Sequence, residues 1–300
     1  MPVDSTRPPL TRTARFAWAA VAVILVGVVA LVVYALTKTP VTLRVIHRPV
    51  TSPGVLRDVS TVPRSTFDAV GVNGDGDALA SPHVLTGQPL LTSKGKPEVL
   101  YLGAEYSPFC AAERWPLVVA LSRFGTFGVL HNGQSSPTSA FAETQTFSFV
   151  GTTYSSRYLT FVGTELYSDI AGPNGTYTRI AWPTPDQQAL LDRYGSVGRP
   201  GGASRRPAST VPFVDIGNRM VATTSGFSPA ALLQLSQSTI ADAIDQPKAS
   251  GQTNQQQAGA AIVASANELT AGICAVTHQQ PVRTCASKGV KAADQALALR

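Results

Sequence analysis

Reactive side chains are scarce in this chain. Three cysteines, two methionines and four histidines are spread over 300 residues. His47, His83, His131 and His278 stand far apart, and no His/Cys/Asp spacing outlines a metal site. There is no G-x-S-x-G elbow and no G-x-x-x-x-G-K loop, which removes the two commonest hydrolase and nucleotide-phosphate signatures. No cofactor is implied, and no internal repeat is present. Charge is thin as well, at 14% of residues. Of the 24 basic residues only six are lysine, and Arg205-Arg206 is the one adjacent pair. Without a basic stripe interleaved with aromatics, a nucleic-acid partner is not indicated. A net charge of +6 fits a surface near an anionic membrane.

Hydrophobic residues, by contrast, make up 44% of the chain, enough for a sizeable core. One apolar run stands out. Phe16 to Leu36 contains no charged residue, and about 20 such residues cross a bilayer as a helix. Arg7, Arg12 and Arg15 precede it, so the positive-inside rule places the N-terminus in the cytoplasm. Trp18 and Tyr34 fall near its ends. Lys38, Arg44 and Arg48 follow it, so the bias is not one-sided. The run is longer than a signal-peptide core, which favours an uncleaved anchor. The rival is a cleaved signal peptide with Val33-Tyr34-Ala35 as its cleavage site. Either one exports the rest of the chain across the cell membrane.

The expected organisation is a cytoplasmic tail at 1–15, a transmembrane helix at 16–37, a stalk at 38–65 and one extracytoplasmic domain at 66–300. Pro49, Pro53 and Pro63, among Ser and Thr, read as linker. Val41 to Ile46 and Asp68 to Val72 read as short strands. Asn73-Gly74-Asp75-Gly76-Asp77 opens like a calcium loop. However, Ala78 replaces its glycine and Val84 its final glutamate, so a turn is expected. Strands are expected at Glu98 to Gly103, Val129 to His131, Thr146 to Val150, Tyr158 to Val162, Val211 to Ile216 and Met220 to Thr223. Helices are expected at Phe109 to Phe124, Thr184 to Tyr194, from Ser228 to Leu235, and over the alanine-rich Gln255 to Val276. Gly195 to Ser209 reads as a loop. Asn174-Gly175-Thr176 fits an N-glycosylation acceptor.

The chemistry gathers where a strand meets a helix, at Ala104-Glu105-Tyr106-Ser107-Pro108-Phe109-Cys110. Ser107 followed by Pro108 is a strong helix start. Cys110 then falls in the first turn, where the helix dipole favours a thiolate and burial opposes it. It reads either as an inert buried side chain or as a lone thiol able to form mixed disulfides. Glu113 and Arg114, one turn on, are expected on a solvated face or in a local ion pair. Pro116 should kink the helix. Cys274 and Cys285 are eleven positions apart, and in an exported domain they read most simply as a structural disulfide. A redox pair serving Cys110 is the alternative.

This segment resembles the thioredoxin active site, in which C-x-x-C opens a helix after a strand. Ser209-Thr210-Val211-Pro212-Phe213-Val214-Asp215-Ile216 is similar to the thioredoxin strand whose cis-proline faces that site. Gly217-Asn218 would be the hairpin turn, and Gly226 to Leu232 the final loop and helix. More narrowly, Cys110-Ala111-Ala112-Glu113-Arg114-Trp115, Leu121-Ser122-Arg123-Phe124-Gly125 and the Cys274 to Cys285 tail resemble an uncharacterised thioredoxin-like family catalogued as domain of unknown function 929. The resemblance implies an α/β, thioredoxin-like three-layer sandwich with a helical C-terminal extension after one transmembrane helix. Two departures carry the functional expectation. Ser107 stands where the attacking cysteine would be, and a serine hydroxyl does not replace a thiolate in disulfide exchange. The assisting acid position falls on Tyr101. A degenerate S-P-F-C motif facing Val211 and Pro212 points to a non-catalytic module that binds an extended peptide or protein client. The alternative is a monothiol oxidoreductase using Cys110.

Overall fold

The computed structural model describes residues 21, 24–30, 48–72, 79–172, 174–198, 211–245 and 253–299. Two compact units divide the chain, Met1–Ile46 and His47–Arg300. In the first, the described residues are helical, and Val21, Ile24, Leu25, Val26, Val28 and Val29 are exposed. The expected strand at 41–46, the turn at 73–77 and most of the loop at 195–209 lie outside the described residues.

The second unit is a mixed α/β fold built on β3 (Lys96–Gly103). Val99, Leu100, Tyr101 and Leu102 are all fully buried, as a strand covered on both faces requires. Beside β3, β6 (Thr160–Glu165) runs parallel, with Leu102 opposite Thr164. On the other side β9 (Phe213–Ile216) runs antiparallel, with Leu102 opposite Phe213 and Val99 opposite Ile216. β10 (Met220–Ala222) pairs with β9, and the two-residue β1 (His83–Val84) pairs with β10. β2 (Thr92–Ser93) forms a short hairpin with the start of β3. Gly217 and Asn218 turn β9 into β10, both at positive φ, as a tight turn between antiparallel strands demands.

Alternate side chains feed two cores. Val99, Tyr101, Val214 and Ile216 enter the main one. Leu100, Leu102, Phe213 and Val221 enter a smaller one with Leu191 and Tyr194. Those last two belong to a helix at Pro185–Tyr194, which carries a Thr184–Gln187 capping box.

Two helices lie where a stalk is expected. α1 (Pro53–Ser60) and α2 (Arg64–Val70) bury Val55, Val59, Phe67 and Val70 in the main core. Ser52 caps α1, with Pro53 in its first turn. Two of the three prolines read as punctuation, Pro53 and Pro63, thus stand at helix starts, and residues 48–65 belong to the folded unit. The expected strand at 68–72 is likewise corrected. Asp68 pairs with Arg64 one turn earlier at 3.3 Å, and Gly71 at φ 62° ends α2. Just ahead of α1, Thr51 N–H donates to the Leu130 carbonyl and Asn132 N–H to the Pro49 carbonyl, each at 2.8 Å.

α3 (Pro108–Ser122) leads from the motif into a long hairpin, β4 (Gly125–Gln134) and β5 (Gln145–Ser156). This hairpin is inserted between β3 and its parallel partner β6. It packs back through Phe149, whose ring meets Tyr101 at 4.9 Å and Phe161 at 5.0 Å. A second hairpin, β7 (Tyr167–Ala171) with β8 (Tyr177–Arg179), follows β6. After β10, Ser228 caps only a 3-10 turn at Pro229–Leu232 rather than the expected helix. α4, numbered in chain order as the Pro185–Tyr194 helix, is followed by α5 (Gln237–Asp245) and α6 (Asn254–Val276). Residues 258 to 274 of α6 are buried almost without interruption. α6 is the one described helix long and apolar enough to cross a membrane, but 89% of its most apolar window lies inside the fold. Its small residues allow close approach. A Cβ on Gly259 would overlap the Ala243 carbonyl of α5, and one on Gly272 would overlap the Met220 side chain. The chain closes with α7 (Val282–Cys285) and α8 (Lys288–Ala296).

Candidate functional site

β3 runs out at Gly103, and the next residues are pinned in turn. Glu105 N–H donates to the Tyr167 carbonyl at 2.9 Å and Ser107 N–H to the Ala104 carbonyl at 3.1 Å. Ser107 Oγ accepts the Cys110 N–H at 3.3 Å. The hydroxyl is therefore the N-cap of α3, with Pro108 in the first turn. Phe109 is half-exposed at the tip, its ring edge-on to Phe141 at 6.1 Å. Cys110 faces inward, fully buried and unpaired. Its Sγ accepts the Ala104 N–H at 3.4 Å. Burial pushes the thiol up from its ordinary value, against the pull of Arg114 and of hydrogen bonds involving Ser107 and Ala104.

Val211 shares an apolar cluster with Cys110, Ala104 and Leu166, flanked by Tyr106 and Tyr167. The Val211–Pro212 peptide bond is cis. The sheet thus brings two segments a hundred residues apart in sequence to one place. Around them stands an aromatic wall. Tyr106 stacks on Tyr177 at 4.0 Å and meets Tyr167 edge-on at 6.1 Å. The Arg179 guanidinium lies over Tyr167 and over the exposed Trp182. Cys274 and Cys285 are not part of this place. They are joined to each other, 5.7 Å apart at Cα, in the main core.

Beneath the motif is a layer of buried charge. Glu113 and Arg114, expected on a solvated face, are both inside. α3 has no polar face over residues 110 to 121, so any charge there is buried with it. Arg114 holds Glu165 through two bonds of 2.8 Å and donates to the Ala104 carbonyl at 3.1 Å. Such a planar fork suits a buried carboxylate. Glu105 pairs with Arg48 and accepts from the Ser148 hydroxyl at 2.6 Å. Arg48 also holds Asp169 at 2.7 Å. Burial, and then Glu165, push the Glu105 carboxyl up, while Arg48 and Ser148 pull it down.

Among the described residues Glu113 has no cation. One of its oxygens accepts the Gly226 N–H at 3.3 Å, and the other has no partner. Burial raises it to about 8, with Glu268 of α6 adding to the rise. Among the described residues no group of His, Cys, Asp and Glu is placed to hold a metal ion.

Arg48, Glu105 and Glu165 carry no local mark in the sequence, because their charged partners are 51 or more residues away. Glu113 and Arg114 did carry one, as two charges inside an apolar helical run.

Residues 87–170 match a family model described as a domain of unknown function (DUF929). That stretch runs from ahead of β2 into β7 and holds β3, the motif and α3. The segment around Val211 and Pro212 lies beyond it. No curated protein and no solved structure matches the chain.

Proposed function

We propose that the folded unit is a thioredoxin-like domain with a degenerate active site, which binds an extended peptide or protein client without exchanging disulfides. One observation carries this reading. A serine hydroxyl occupies the helix N-cap where the attacking thiolate would stand, and the one unpaired cysteine is buried behind it. The strand order β6-β3-β9-β10, with only the β3–β6 pair parallel, supports the fold assignment. So does the packing of Val211 against Cys110. In such a groove the backbone beside Pro212 offers strand-like pairing to a client, and the half-exposed Phe109 and Tyr106 offer contact area. The apolar run at 16–36 anchors this module in the cell membrane with the domain outside the cytoplasm.

The test has two arms on the detergent-solubilised full chain. Fluorescence anisotropy with an alkylated, extended peptide should show saturable binding that a thiol reductant leaves unchanged. Ser107→Cys should create insulin-reducing activity that the natural protein lacks. Absence of peptide binding removes the client reading. An inert Ser107→Cys protein that is still folded removes the thioredoxin reading. The monothiol alternative needs an accessible sulfur, so labelling of Cys110 by iodoacetamide without denaturant is the result that favours it.

A further inference from the structure

Two buried donors lie near the Cys110 sulfur without an ordinary acceptor among the described residues. Tyr101 is wholly buried in β3, and among the described residues its hydroxyl meets no oxygen or nitrogen acceptor, only the Cys110 sulfur. That hydroxyl turns toward Gly103, where an added Cβ would overlap it, and it interacts with Cys110. Arg114 follows Cys110 by one turn on the same helix face. Its Nε and Nη2 are engaged by Glu165 and the Ala104 carbonyl, but its Nη1 is buried without a partner. Unmade buried donors are costly, and a thiol sulfur is a weak acceptor for them. An oxygen carried on that sulfur is a strong one. The chain's other two cysteines are tied to each other, so no second thiol stands by to consume such a group.

We propose that Cys110 is a site of oxidation by hydrogen peroxide, and that Tyr101 and Arg114 hold the resulting sulfenic acid. The Cys110 thiol gives its proton to water, and the thiolate attacks one peroxide oxygen. An S–O bond forms as the O–O bond breaks, and the departing hydroxide takes up a proton and leaves as water. Sulfur loses two electrons, and the peroxide gains them. The new oxygen accepts from the Tyr101 O–H and the Arg114 Nη1–H. Burial makes the step slow, because the thiolate is disfavoured and only a small neutral oxidant gets in. Burial also keeps other thiols away from the product. None of this depends on the groove binding a peptide.

The experiment treats the solubilised full chain with hydrogen peroxide and maps each oxidised peptide by mass spectrometry. Cys110 should gain one oxygen, removable by a thiol reductant once the protein is denatured, and Cys110→Ser should gain none at that position. Met220 is buried as deeply as Cys110, so its sulfoxide reports how far peroxide penetrates. Tyr101→Phe keeps the ring and deletes one donor. It should lower the one-oxygen form about tenfold as the sulfur runs on to irreversible acids. An unmodified Cys110 overturns the proposal. So does a one-oxygen population that is the same in the wild type and in Tyr101→Phe.

Discussion

At the scale of single residues, most buried charges here are met by a built-in partner, whereas Glu113 and Asp215 are buried carboxyls with no cation among the described residues. The Glu113 carboxyl is held at about 8, against an ordinary value of 4.5. Across that window the folded state keeps a proton that the unfolded state has released, so stability falls as pH rises and levels off above 8. Glu113→Gln should flatten that slope and gain a few kcal/mol above pH 8. Urea midpoints measured across the range check this, and an unchanged slope refutes it.

Arg114 and Glu165 present the opposite case. Arg114→Met alone leaves a buried carboxylate unpaired and should cost about 3–5 kcal/mol. Adding Glu165→Leu should recover most of the loss, as a double-mutant cycle by denaturant unfolding will show. None of this pairing was legible beforehand. A helix reports the periodicity of its own side chains but not the charge it will meet on a strand folded from elsewhere. The N-cap was legible because its logic is local.

Among the elements, three of the chain's five serine-proline pairs open a named helical element, with three outcomes. At Ser107 it opens a buried fifteen-residue helix. At Ser52 it opens α1, although neighbouring prolines and hydroxyls made the stretch read as linker. At Ser228 it opens a four-residue 3-10 turn, and the true helix starts at Gln237. Capping chemistry specifies where a helix can begin. Burial of the next two turns decides whether it continues, and Val55 and Val59 supplied that burial for α1. Strands fared better, because β3 carries the apolar run Val99 to Leu102 and β9 is apolar but for Asp215. The packing of α5 against α6 rests on a close crossing that no periodicity shows. Gly259→Ala puts a methyl into the Ala243 carbonyl, so it should cost about 1–3 kcal/mol despite alanine's better helix propensity. Thermal unfolding measures that, and a gain in stability would mean that the helices separate freely.

For the whole molecule, two apolar helices compete for the role of membrane span, and burial separates them. α6 is wrapped by the fold, whereas the described side chains of the N-terminal helix are exposed. If residues 16–36 are the anchor, protease added to intact cells should digest a C-terminal tag while an N-terminal tag survives. Deleting residues 16–36 should release the protein from membranes. A protected C-terminal tag reverses the proposed orientation. The sequence offers the anchor as an expectation, because a bilayer reads only length and hydrophobicity. It showed the boundary of the folded unit poorly, because packing rather than composition moved that boundary from 66 to 47.

Arg48 stands at that boundary and grips the carboxylate next to the motif. The strap behind it is stitched to β4 by two hydrogen bonds. A pull drawn along the chain from residue 47 therefore meets Arg48 and Glu105 before it reaches any helix. Were residues 16–36 an anchor, tension in that tether and the posture of the Glu105–Ser107 corner would be mechanically linked.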